Sequence, residues 1–128
     1  MQTTASQRLL AMPLPANASL GERGEAVQLH VKHEQLEVVV TVPRTVREWF
    51  VEATDLATGT RAEDWCDYDG CDSTSPERLD LNMAEDVDHF VQRLLNSELK
   101  FEVSGRAKLL WKISNSWQQA VPLDASAV

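Results

Sequence analysis

Basic residues are scarce in this chain, aromatics are few and cysteine is nearly absent, and each scarcity excludes something. Twelve Lys and Arg stand against twenty Asp and Glu over 128 residues, a formal net charge of −8. A field of that sign repels nucleic acid and anionic membrane, and it attracts cations or basic proteins. The imbalance is local. Fourteen acids lie between Glu48 and Glu98 against Arg61, Arg78 and Arg93, a balance of −11 that leaves the rest of the chain at +3. Nucleic-acid binding is disfavoured; only the basic run from Lys100 to Lys112 opposes that reading.

Long apolar runs are missing too, and none approaches the roughly 20 residues of a membrane span. Near the start, Arg8 precedes a short apolar stretch and Ala16-Asn17-Ala18 resembles a leader-cleavage site. Pro13 and Pro15 interrupt that stretch, so the expectation is a cytoplasmic chain rather than a secreted one. With five glycines in all, there is no phosphate-cradling loop and no glycine-rich nucleophile turn. Ser, His and Asp occur, but in no arrangement that marks a catalytic triad. The expectation is a protein that is not an enzyme.

What is present is alternation. Val27, Leu29 and Val31 share one face of a predicted strand, and Leu36, Val38, Val40 and Val42 share one face of the next. Matching the two faces, as with Val31 opposite Leu36, allows a two- or four-residue connection. The absence of Gly or Asn for a tight primed turn favours the four-residue loop, Lys32–Gln35, before Pro43 ends the second strand. A third strand, Arg47–Asp55, turns at Asp55–Thr60, where Gly59 supplies the positive φ of a three-residue hairpin loop. That register sets Leu56 opposite Thr60, Val51 opposite Trp65 and Glu52 opposite Asp64. The last pair should repel, so either the register differs or a cation lies between.

Asn82-Met83-Ala84-Glu85 fits a capping box. Met83, Val87, Phe90, Val91, Leu94 and Leu95 then form one apolar stripe, predicting a helix over Met83–Asn96. Glu85, Asp88, His89, Gln92 and Arg93 take its wet face. Leu99, Phe101 and Val103 alternate again, as do Ala107, Leu109, Trp111 and Ile113, which pairs Val103 with Ala107. A short strand near Trp117 follows.

The expected order is β-β-β-β-α-β-β. The fold class is α+β, an antiparallel sheet of about six strands with one amphipathic helix packed on one face. Residues 1–24 read for the most part as an irregular or mobile arm, with docking of Leu9, Leu10, Met12 and Leu14 or a short helix before Pro13 as alternatives. Residues 25–121 read as the domain and 122–128 as a frayed tail. The sheet's other face carries Phe50, Val39 and Leu110, which leaves room for a partner or dimer surface.

Three clusters are candidates for chemistry. Glu63, Asp64, Asp67, Asp69 and Asp72, with Glu52 across the strand, offer oxygen ligands to Ca²⁺ or Mg²⁺. The run Asp67-Tyr68-Asp69-Gly70 does not match a calcium loop: with Gly70 at position 6, position 12 is Pro76. Cys66 and Cys71 can close a small disulfide under oxidising conditions, whereas zinc would need two more ligands. The neighbouring carboxylates raise a thiol's pKa and blunt it as a nucleophile. His30 and His33 share no metal on a regular strand, and Glu85 with His89 reads as a solvated helix face. Trp49, Trp65 and Trp111 read as core, and Trp117 as an interface anchor.

The leading functional expectation is a small acidic non-catalytic domain that binds a basic protein partner through Asp64, Asp67, Asp69, Asp72 and Trp117. Inhibitors and immunity proteins that neutralise secreted toxins have this general profile. The alternatives are a divalent-metal or small-ligand domain on Glu52, Asp64, Asp67 and Asp69, and a homodimeric structural subunit.

Overall fold

The computed structural model describes residues 3–68, 75–96, 99–104, 106–113 and 116–119. Ten elements follow in order: α1 (Thr4–Ala11), β1 (Ala18–Arg23), β2 (Ala26–His33), β3 (Leu36–Pro43), β4 (Glu48–Asp55), β5 (Arg61–Asp67), α2 (Pro76–Leu95), β6 (Leu99–Ser104), β7 (Arg106–Ile113) and β8 (Ser116–Gln119). The class is α+β. Strands β1 to β5 form an antiparallel meander in sequence order, and β6 to β8 form a separate three-stranded sheet. This corrects the expectation of one sheet of about six strands with a single helix. Hairpins pair with their chain neighbours first, and α2 separates the two strand runs in sequence, so each run closes its own sheet.

The expected irregular arm is corrected over its described residues, because 4–11 are helical and 18–23 form an edge strand. The segment lacks long periodicity, and its structure comes from partners far along the chain. The Thr3 amide donates to the Arg44 carbonyl at 2.7 Å, and the Thr3 hydroxyl donates to the Pro43 carbonyl at 2.8 Å. At the start of α1, the Thr4 amide donates to Asp80 Oδ1 at 3.1 Å, and the Thr4 hydroxyl also donates to that carboxylate. A carboxylate there satisfies orphan donors and favours the positive end of the helix dipole. Arg8 reaches Asp88 at 2.8 Å, and Ala5 and Leu9 enter the core. The expected tail, 122–128, lies outside the described residues.

Helix α2 starts seven residues before the predicted Met83. Ser75 caps it, its hydroxyl accepting from the Arg78 amide at 3.2 Å, and Pro76 takes the first turn. Both residues suit those positions. Leu79, one turn before Met83, is buried and lengthens the apolar stripe, so Asn82 is an interior residue rather than a cap. Of the predicted stripe, Met83, Val87, Phe90, Val91 and Leu94 are buried and Leu95 is half-buried against the core.

The inner face of the meander is built in rows. Leu20, Leu29, Val40, Val51 and Asp64 lie across the five strands, and Val31, Val38, Ala53 and Ala62 form the neighbouring row. The β-branched residues at most of these positions pack well on a pleated surface. Trp49 meets Phe90 of α2 with ring centroids 5.5 Å apart and planes tilted by 59°, which joins helix to sheet.

Two registers differ from the sequence reading. Strand β2 pairs Val31 with Val38 rather than Leu36, through a tight Glu34-Gln35 connection in which Glu34 takes φ 53°. A shift of two residues preserves both faces. Across β4 and β5 the shift is one residue, and Phe50 pairs with Trp65, Trp49 with Cys66, and Glu52 with Glu63. The cause is a loop of four residues instead of three. Asp55 N–H donates to the Thr60 carbonyl at 2.8 Å and Gly59 N–H to the Asp55 carbonyl at 2.7 Å, with Gly59 at φ 76° as expected. The Asp55 carboxylate braces the loop by accepting from the Ala57 amide and the Thr58 hydroxyl, each at 3.1 Å. In the second sheet Val103 does pair with Ala107, and β8 contains Trp117.

Candidate functional site on the outer sheet face

A one-residue slip moves every β5 side chain to the other face of the sheet. Cys66 therefore turns inward and is 2% exposed, while Trp65 turns outward and is half-buried. The expectation that Trp65 is core is thus corrected. Its ring stacks on Phe50 with centroids 6.4 Å apart and planes within 15° of parallel. Such offset stacking is a favourable aromatic geometry. Phe50 is 36% exposed, and the row continues through Thr41, Gln28 and Gly21, so the pair stands beside polar neighbours.

Acids frame the pair. Glu48 lies on the same face, and its Oε2 accepts from the Trp65 indole N–H at 3.3 Å. One row away, Glu52 and Glu63 oppose each other directly. Arg61 answers the repulsion, its Nη2 donating to Glu52 Oε2 at 2.6 Å and to Glu63 Oε1 at 3.2 Å. Both resolutions raised by the sequence apply together: the register differs, and a cation bridges the acids.

The predicted acidic site is divided by the strand's alternation. Asp67 lies on the outer face beside Glu48, whereas Asp64 lies on the inner face opposite Val51. Glu52 and Asp64 therefore do not converge as the metal alternative requires. Among the described residues, no three His, Cys, Asp or Glu side chains gather as a metal site. Asp69, Cys71 and Asp72 lie outside the described residues. Trp117 belongs to β8, opposite Lys112, and Trp111 belongs to β7, opposite Leu99.

Beneath this face runs a half-buried polar chain that sequence reasoning missed. Trp49 Nε1–H donates to the Tyr68 hydroxyl at 3.0 Å, and that hydroxyl donates to Asp86 Oδ2 at 2.6 Å. Burial, then the bond to Asp86, push the phenol's pKa well above its ordinary value, and the bond from Trp49 opposes them. The chain fixes the end of β5 to α2 and holds Trp49 against Phe90. Neither donor–acceptor pair has a periodic signature, so no sequence signal marks them.

On the predicted wet face of α2, Glu85, His89 and Gln92 are exposed, whereas Asp88 and Arg93 are half-buried. A recess of about 200 Å³ is lined by Met12, Pro13, Gln92, Leu95 and Asn96, and none of these side chains is titratable. Among the described residues, no helix is long and apolar enough to cross a membrane. No family model matches the chain, no curated protein is similar to it, and no solved structure resembles it.

Proposed function

We propose that this chain is a non-catalytic protein-binding domain that engages a basic partner through the outer face of β4 and β5. The observation that carries the reading is the stacked Phe50–Trp65 pair, solvent-facing and bordered by Glu48, Glu52 and Glu63. An aromatic anchor inside a charged rim is the common layout of a protein interface, where the anchor supplies affinity. The −11 balance between Glu48 and Glu98 would speed the approach of a cationic surface and discriminate against anionic ones. An inhibitor or immunity-type role is one form this activity can take.

The test begins with a partner captured from the native host. Its association rate with the intact chain is then followed as salt is raised. Replacing Asp67, Asp69 and Asp72 with Asn should leave the far-UV spectrum intact and slow association by about tenfold at low salt. Phe50→Ser should mainly raise the dissociation rate. A partner whose kinetics ignore salt, the neutralised acids and Phe50→Ser alike would overturn the reading.

A further inference from the structure

We infer that the outer face of β4 and β5 selects arginine in its partner, and that Arg61 holds that arginine's place in the unbound protein. The inference rests on the basic-partner reading above and specifies its chemistry. Two carboxylates directly opposite on adjacent strands repel, and this sheet keeps such a pair at Glu52 and Glu63 beside its most exposed aromatic stack. One guanidinium bridges them, so two negative charges are met by one positive charge.

The bridge is open to exchange. The side chains of Arg61, Glu52 and Glu63 are 53%, 50% and 65% exposed, so solvent reaches all three and screening keeps their attraction weak. A partner cation therefore competes with a contact of small net strength. With Glu48 and Asp67 included, four carboxylates among the described β4 and β5 residues of this face stand against the Arg61 cation. That charge difference favours a cationic segment over a neutral one.

Arginine suits the remaining geometry better than lysine. The Trp65 N–H is already turned to Glu48, so the indole offers a partner its ring rather than a donor. A planar guanidinium stacks on an aromatic face and donates a fork to carboxylates, whereas an ammonium is a hydrated point charge. The intramolecular Arg61 contact displays the same chemistry one row from the rings. Displacing it lets a partner's guanidinium span both features.

The experiment titrates the full ¹⁵N-labelled chain with blocked hexa-arginine, hexalysine and hexacitrulline, reading the Trp65 indole N–H resonance. Hexa-arginine should move that resonance and bind at least about fivefold tighter than hexalysine, and hexacitrulline should leave it in place. Arg61→Gln should tighten hexa-arginine binding by about threefold or more, and Glu52→Gln with Glu63→Gln should weaken it by about tenfold. Phe50→Ser, at an exposed position, should abolish the preference for arginine while thermal melting remains cooperative. Equal binding of arginine and lysine peptides with a shifted indole overturns the arginine selection and leaves the basic-partner reading standing. An indole unmoved by either peptide overturns both. Unchanged or weaker binding by Arg61→Gln overturns the place-holding role. Concentration-dependent dimerisation through Phe50 would assign the face to a second copy and overturn the inference.

Discussion

The Trp49 indole N–H donates to the Tyr68 hydroxyl at 3.0 Å, and through it the core of the sheet is bonded to α2. Tyr68→Phe removes both hydrogen bonds and leaves the Trp49 donor and the Asp86 acceptor without this partner. A cost of about 1–3 kcal/mol is expected in urea unfolding.

The same tyrosine predicts an alkaline limit to stability. Its folded pKa is raised above the unfolded value of about 10, so the folded state holds the phenolic proton more tightly. The contribution is complete below pH of about 10 and falls, as pH rises further, by up to about 1.4 kcal/mol per unit. Tyr68 is the only tyrosine in the chain, so phenolate absorbance reports it directly. Titration of the native protein with an ordinary midpoint would contradict the buried arrangement.

The start of α2 separates two caps by simple mutagenesis. Ser75→Ala should destabilise the protein by about 0.5–2 kcal/mol, because the Arg78 amide loses its acceptor. Asn82→Ala, inside the helix, should be neutral or slightly stabilising from propensity, about 0.5 kcal/mol. Reversal of these two results in thermal unfolding would restore the later helix start.

Arg61 can be examined by a double-mutant cycle with Glu52. Arg61→Ala leaves Glu52 and Glu63 opposed and should cost less than about 1 kcal/mol, given their exposure. Glu52→Gln in that background should recover part of the loss, and added salt should shrink both effects. Absence of coupling would show that the bridge contributes nothing to folding.

Asp80→Ala tests what holds α1. The Thr4 amide and hydroxyl lose their shared acceptor, so amide exchange should quicken across residues 5–11 while α2 stays protected. A loss of about 1–2 kcal/mol is expected at a capped terminus facing a carboxylate. Uniformly accelerated exchange through the whole domain would instead tie α1 to global unfolding.

Much of this fold was legible residue by residue. The apolar alternation at Val27–Val31 and Val38–Val42, the stripe Met83–Leu94, and Gly59 at positive φ all follow from local periodicity and steric rules. These features depend on near neighbours in the chain, which is why a sequence carries them. The helix in 4–11 was legible only as an alternative for the apolar stretch before Pro13, because its first turn is completed by Arg44, Pro43 and Asp80.

The candidate surface turned on a smaller matter. Sequence alone determined that aromatic and acidic side chains gather between Glu48 and Asp72, and that some cation or register change must answer Glu52. It could not decide which face received Trp65, because three- and four-residue loops both suit Asp55–Thr60. Asp55 bracing the longer loop selects one register, and a strand's period of two converts that single residue into a reversal of faces. Tertiary structure thereby put Cys66 in the core, Trp65 on Phe50, and Asp64 opposite in face to Glu52 and Asp67.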